Sequence, residues 1–93
     1  MDPASAREAD ATIELPDGTR RYATFMHPSV ITEIMARWQE SGECLSGRYF
    51  YCTDLVVIRE PGFVTMADAI RDLIETGDIT SACGLLPPDD GPD

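Results

Sequence analysis

Residues 48–59 limit the possible folds more than any other part of the chain. They contain two β-prone runs, Arg-Tyr-Phe-Tyr-Cys at 48–52 and Leu-Val-Val-Ile-Arg at 55–59, separated by Thr53 and Asp54. Successive side chains of a strand point to opposite faces, so a strand with one face in water should alternate apolar and polar residues. These runs are apolar or aromatic on both faces. Because neither Thr53 nor Asp54 suits a two-residue hairpin turn, we expect one long bulged or bent strand, with a tight turn at 53–54 as the alternative.

The N-terminal part of the chain carries a hairpin signal. Residues 11–15 predict a short strand, and residues 20–26 predict the strand that returns beside it. Between them lie Asp17 and Gly18, a pair that favours a tight turn because glycine takes positive φ without cost and aspartate tolerates it.

Two helices are expected, each with a single apolar stripe. Pro28 favours a helix over residues 28–41, with His27 as its entry residue and Gly42 as its end. The stripe consists of Val30, Ile31, Ile34, Met35 and Trp38.

A second helix is expected to start near Thr65, where Thr65 and Asp68 resemble a capping box, and to stop before Gly77. Its stripe consists of Met66, Ala69, Ile70, Leu73 and Ile74. Residues 78–86 fit either a short helical turn or an irregular strap.

The order of elements is thus β-β-α-β-(β)-α. It predicts an α+β fold with a small antiparallel-rich sheet of three to four strands and both helices packed on one face. We expect a flexible lead-in over residues 1–10, a single domain over residues 11–86 and a disordered acidic tail over residues 87–93.

Charge narrows the class of partner. The chain has 17 acidic and 7 basic residues, for a net charge of −10, and half of this excess lies in residues 1–10 and 87–93. Acidic surfaces are repelled by nucleic-acid phosphates and by anionic lipid, so we expect neither nucleic acid nor membrane as a partner. A protein partner, including a basic one, is compatible with this charge. All seven basic residues are arginine, which is typical of bacterial genes in a GC-rich genome.

The cysteines indicate a reducing compartment. The chain has three cysteines, Cys44, Cys52 and Cys83, an odd number that does not suit a set of disulfides. No two of these cysteines, and no cysteine and the single histidine His27, are close enough in sequence to form a short chelating pair for a metal. We expect no metal and no cofactor, with Cys52 and Cys83 as core residues and Cys44 as the exposed thiol. No signal peptide or membrane span is indicated at the start or elsewhere, so we expect a cytoplasmic protein.

Two groups of residues are candidates for an interaction surface. The first is Tyr49, Phe50 and Tyr51 in the predicted strand. The helices cover one face of that strand, and its other face is covered by the domain itself, by a second copy in a homodimer, by a partner or by a ligand. The second is Asp68, Asp72 and Glu75, which share the outer face of the second helix. A pocket between sheet and helices, using His27 and Tyr49, is a further alternative.

These features favour a binding module over an enzyme. The chain carries no phosphate loop, nucleophile motif or paired carboxylates, and no catalytic residue is predicted. We expect a small protein-binding module of inhibitor, immunity-like or accessory type. The alternatives are a homodimeric accessory subunit that associates through the strand at 49–58, and a small-molecule-binding protein or small enzyme.

Overall fold

The computed structural model describes residues 3–86 and has an α+β fold, as predicted. Over these residues it contains one mixed four-stranded sheet and four helices, preceded by a 3-10 turn at Pro3–Ser5. The elements are β1 (Glu8–Glu14), β2 (Arg20–Met26), α1 (Pro28–Ser41), α2 (Glu43–Gly47), β3 (Leu55–Val57), α3 (Phe63–Thr76), α4 (Ile79–Ala82) and β4 (Gly84–Leu85). The predicted tail at 87–93 lies outside the described residues.

Strands β1 and β2 form the predicted hairpin. They pair antiparallel, with Ala11 opposite Ala23. In the turn, the Asp17 carboxylate accepts hydrogen bonds from the Thr19 amide at 2.9 Å and the Thr19 hydroxyl at 2.6 Å. The first strand is longer than expected, since β1 begins at Glu8 and so includes residues 8–10 of the predicted lead-in.

Strand β2 is the central strand of the sheet. Its second edge pairs parallel with β3 and antiparallel with β4. Residues 84–85 thus supply the fourth strand, and the part of the chain left open as a turn or strap forms both α4 and β4.

The single long strand predicted over residues 48–59 is wrong. Residues 48–52 form no strand, β3 covers only Leu55–Val57, and residues 53–54 are a turn. Asp54 stops the strand because it has a φ of 60°, which aspartate tolerates better than most residues. Its carboxylate accepts a hydrogen bond from the Gly84 amide at 2.8 Å, so a contact distant in sequence holds the turn.

Helix α3 begins at Phe63 and not near Thr65, so the predicted capping box is wrong. The residue before the helix is Gly62, and no side chain caps the first turn. Gly62 has a φ of 118°, its amide donates to the Ala6 carbonyl at 2.7 Å, and an added Cβ would come within 3.0 Å of the Ala4 carbonyl oxygen. This close approach requires glycine and fixes where the helix starts.

Helix α1 has the predicted bounds and the predicted entry residue. His27 is its N-cap, and the ring Nδ1 accepts a hydrogen bond from the Ser29 amide at 3.1 Å. Gly42 ends the helix with a φ of 88°. Of the five stripe residues, however, only Val30 is buried.

The core forms between the hairpin and the C-terminal helices. Its buried cluster includes Met66 of α3 and Ile79 of α4 but no residue of α1. The full cluster is Ala6, Ile13, Ala23, Phe25, Ile58, Met66, Ile79 and Cys83. That both long helices pack on one face of the sheet stays a prediction.

Candidate functional site

Helix α2 is a left-handed turn that lies against α1. Residues Cys44, Leu45 and Ser46 have φ values between 49° and 58°. Each such residue costs about 1–2 kcal/mol relative to a right-handed helix, so other contacts must hold the turn. At its end, a Cβ on Gly47 would overlap the Met35 carbonyl oxygen, so only glycine permits this close approach to α1.

The segment after α2 turns back onto the end of α1. The Phe50 ring stacks on the Trp38 ring, with 5.5 Å between centroids and 21° between planes. The pKa of the neighbouring Tyr49 is raised, first by hydrogen bonding and then by charge repulsion with the Cys44 thiol, with further contributions from burial and from Tyr51. Residues 44–51 thus form a connected surface with the last turns of α1.

Most of the apolar side chains on this surface are in water. The exposed fractions are 66% for Leu45, 48% for Tyr49 and 71% for Tyr51, whereas the stacked Trp38 and Phe50 are half-buried. We call these five residues the aromatic surface. A groove of about 420 Å³ lies beside it, lined by Ile34, Arg37, Trp38, Ser41 and Glu43.

The structure separates the two predicted groups of interaction residues. Tyr49, Phe50 and Tyr51 belong to the aromatic surface, although they reach it from an irregular segment and not from a strand. The acids Asp68, Asp72 and Glu75 are exposed on α3, where Asp68 pairs with Arg71 at 3.0 Å. Within residues 3–86, no hydrogen bond or ion pair links these acids to the aromatic surface.

The predicted pocket that uses His27 and Tyr49 stays a prediction. His27 caps the first turn of α1, whereas Tyr49 adjoins Phe50, which stacks on Trp38. Ten helical residues lie between His27 and Trp38, which places the two backbone positions about 16 Å apart at 1.5 Å per residue. Neither His27 nor Tyr49 lines the groove beside α1.

A second groove, of about 460 Å³, lies on the hairpin and was not predicted. Its rim includes Glu8 and Asp10 of β1, and Cys52 lies at its side. The complete lining is Glu8, Ala9, Asp10, Tyr22, Thr24, Phe25, Met26 and Cys52. The sequence signal was the alternation of Glu8 and Asp10 with Ala9, which lies in residues 1–10 and was assigned to a lead-in instead of to the strand predicted over residues 11–15.

The three cysteines are free and differ in burial. Cys83 lies in the core as predicted, and its pKa is raised, first by burial and then by the nearby Asp54 charge, with Arg21 opposing. Cys52 is only half-buried, and Cys44 is half-buried against Tyr49 and not freely exposed. Among residues 3–86 no three histidine, cysteine or acidic side chains cluster as metal ligands.

The chain matches no family model, no curated protein and no solved structure at a significant level. In the described part of the chain, no helix has the length and apolar character needed to cross a membrane. The function proposed below is therefore inferred from the residues exposed on the surface of the protein.

Proposed function

We propose that this chain is a protein-binding module that uses the aromatic surface as its contact site. The proposal depends on the exposure of Leu45, Tyr49 and Tyr51 in the segment whose Phe50 stacks on Trp38. Soluble proteins seldom leave large contiguous apolar patches in water, and tyrosine and tryptophan are enriched where proteins bind one another. An inhibitor, immunity-like protein or accessory subunit of this kind acts by occupying a partner.

The backbone of α2 supports the same proposal. A left-handed turn of three non-glycine residues is unfavourable by itself, yet it carries the exposed side chain of Leu45. Strained backbone persists only where the surrounding structure enforces it, and it clusters at functional sites. A rigid turn also loses little conformational entropy when a partner binds.

Charge and chemistry indicate the kind of partner. With a net charge of −10, the chain attracts a basic protein, and the association rate should fall as salt rises. His27 already serves as a helix cap, so it has a structural role that requires no catalysis. Three free thiols fit a reducing cytoplasm, which is part of the proposal.

The test compares two surface variants of the full chain. The double variant Leu45→Ser, Tyr51→Ser removes the two most exposed side chains of the aromatic surface. The matched control is Val64→Ser on α3, where the valine is 76% exposed. Each tagged protein is used for affinity capture from the native cytoplasm, and the retained proteins are identified by mass spectrometry.

We expect one protein that wild type and Val64→Ser both retain and that the double variant loses. Sedimentation of the free chain distinguishes a second copy from a foreign partner, because a homodimer would show twice the chain mass and would dissociate in the double variant. Identical retention by all three proteins, with identical masses, would refute the aromatic surface as a contact site.

A further inference from the structure

Among the described residues 3–86, the backbone groups on the outer edge of β1 form no strand pair. A hydrogen bond lies just beyond each end of the β1–β2 ladder. At one end the His27 amide donates to the Arg7 carbonyl at 2.7 Å, and at the other the Leu15 amide donates to the Thr19 carbonyl at 2.9 Å. Both bonds continue the β1–β2 register, so the odd-numbered residues of β1 are the ones that bond to β2. The amides and carbonyls of Glu8, Asp10, Thr12 and Glu14 therefore point away from β2.

Within residues 3–86, β2 is the only strand paired with β1. Seven residues of strand with four outward amides make a template on which another strand can add. A strand of this length is above the usual strand length of about five or six residues, so the edge is long enough to bind an extended segment.

The side chains of the same residues give the two faces of this edge opposite character. Glu8, Asp10, Thr12 and Glu14 are all exposed on one face, whereas the residues between them are half-buried or buried on the other. Asp10 also accepts a hydrogen bond from the Thr24 hydroxyl at 3.3 Å, which fixes one carboxylate at the rim of the hairpin groove.

A second copy of this chain does not fit the edge. If the β1 strands of two copies paired antiparallel through their outer edges, the outward residues of one copy would lie opposite those of the other. Three alignments of the two strands pair five or more residues. These registers place Glu8 opposite Glu14, Asp10 opposite Asp10, or Asp10 opposite Glu14. Like charges directly opposite destabilise a strand pair, so the acids disfavour self-association at this edge.

We propose that the β1 edge binds an extended basic segment of a partner protein by β-strand addition. The segment carries lysine or arginine at alternate positions, opposite Glu8, Asp10 and Glu14, with apolar residues between them on the core side of the sheet. The aliphatic stems of its basic side chains cover Tyr22 in the hairpin groove while their charges reach the carboxylates. This inference depends on the proposal that the chain binds a protein, but it uses a different surface.

The probe is a fluorescein-labelled peptide of nine residues in which lysine and valine alternate. Its binding to the full chain is followed by fluorescence anisotropy. With the peptide antiparallel to β1, each lysine lies directly opposite an outward residue, so the lysine amides donate to β1 and the valine amides point outward. N-methylation of the lysine amides should therefore weaken binding at least tenfold, and N-methylation of the same number of valine amides should leave it within threefold. A peptide that alternates glutamate and valine should not bind.

Residue-resolved hydrogen exchange locates the peptide. We expect it to slow exchange of the outward amides of Asp10, Thr12 and Glu14, while the Leu45→Ser, Tyr51→Ser variant binds the peptide like wild type. Peptide binding therefore tests the β1 edge independently of the proposal that the aromatic surface is a contact site.

Two variants of the chain complete the test. Thr12→Pro removes an outward amide without removing a donor to β2, and it should weaken peptide binding at least tenfold, whereas Thr12→Ser should not. Slow exchange at Ala11 and Ile13 shows that the hairpin is intact in these variants.

If proline disrupts the hairpin, the double variant Asp10→Asn, Glu14→Gln tests the charge pattern instead and should lower both the affinity for the peptide and the salt dependence of that affinity. Equal binding of both N-methylated peptides, no binding at millimolar peptide, or protection confined to other amides would overturn the proposal.

Discussion

The two ends of the domain use their apolar side chains in opposite ways. Around β2, Ala23, Phe25 and Cys83 are almost completely removed from water. Around α1, a helix of 14 residues buries only Val30, and the aromatic surface beyond it stays largely in contact with solvent. A small domain buries only about 60–65% of its unfolded surface, so apolar side chains are exposed elsewhere too, such as Val64 on α3, and the end of α1 is distinguished by the Trp38–Phe50 stack.

We infer that the sheet around β2 stabilises the fold and that the end of α1 serves recognition. Strand β2 is flanked by strands on both edges and contributes Ala23 and Phe25 to the core cluster. The end of α1 is held by local contacts, namely the Trp38–Phe50 stack and the approach of Gly47 to Met35. Substitutions in the first region should unfold the protein, and substitutions in the second should leave it folded.

The largest expected effect is at the centre of the core. Phe25 is 1% exposed, and Phe25→Ala removes most of a buried ring and leaves a cavity, which should lower the free energy of unfolding by about 3–5 kcal/mol. Urea denaturation followed by circular dichroism measures it. A loss below about 1 kcal/mol would show that the core is not centred on β2.

An intermediate effect is expected where α2 meets α1. Gly47→Ala introduces a Cβ that overlaps the Met35 carbonyl oxygen at a φ of 79°, so the overlap should displace the turn and add to a backbone strain of about 1–2 kcal/mol. Fluorescence of Trp38, the single tryptophan, should change with it.

The control for that variant is Gly18→Ala in the hairpin turn. Gly18 has a similar φ of 87°, but no atom lies where its Cβ would be, so only the backbone strain is added. Trp38 emission should be unchanged in this variant. The same emission change in both variants would mean that Trp38 does not report on the contact between α2 and α1.

A smaller, pH-dependent effect is expected in the hairpin turn. The pKa of Asp17 is lowered, mainly by hydrogen bonds from the Thr19 hydroxyl and the Thr19 amide. Because the folded pKa lies below the unfolded one, this contribution is present above the unfolded pKa, about 4, and is lost as pH falls through the folded pKa. Urea midpoints between pH 6 and about pH 2 should therefore fall more steeply for wild type than for Asp17→Asn. Parallel curves would contradict the assignment.

The smallest effect on stability is expected on the aromatic surface itself. The Leu45→Ser, Tyr51→Ser variant should change the free energy of unfolding by no more than about 0.5 kcal/mol per site, because both side chains are largely exposed already. Urea denaturation measures this too. A loss comparable with that of Phe25→Ala would place these side chains in the core and remove the basis for a recognition surface.

Local chemistry explains which elements the sequence could predict. The Asp17–Gly18 turn and the cap at His27 depend on residues a few positions apart, so the hairpin and α1 were predictable with nearly correct bounds. The strand at 48–52 failed because its β-prone residues follow α2 back onto α1, where Phe50 meets Trp38. The turn at Asp54 depends on Gly84, 30 residues away, and no pattern around residue 54 indicates that contact.

The candidate site was found in part and for an incorrect reason. Tyr49, Phe50 and Tyr51 were singled out as the second face of a strand, yet they form a surface with α1 from an irregular segment. Leu45 was missed because three consecutive left-handed residues without glycine have no sequence signal. The β1 edge was missed because Glu8 and Asp10 lie within residues 1–10, which resembled a solvated terminus.

Residue-resolved hydrogen exchange of the free protein tests most directly whether the two ends differ. We predict that the amides of Ala23 and Phe25 in β2 exchange only through global unfolding, at rates at least a hundredfold slower than those of Gln39, Glu40 and Ser41 at the end of α1. Equally slow exchange in both regions would mean that the end of α1 is packed as tightly as the core, which would contradict the division between a stable sheet and a recognition surface.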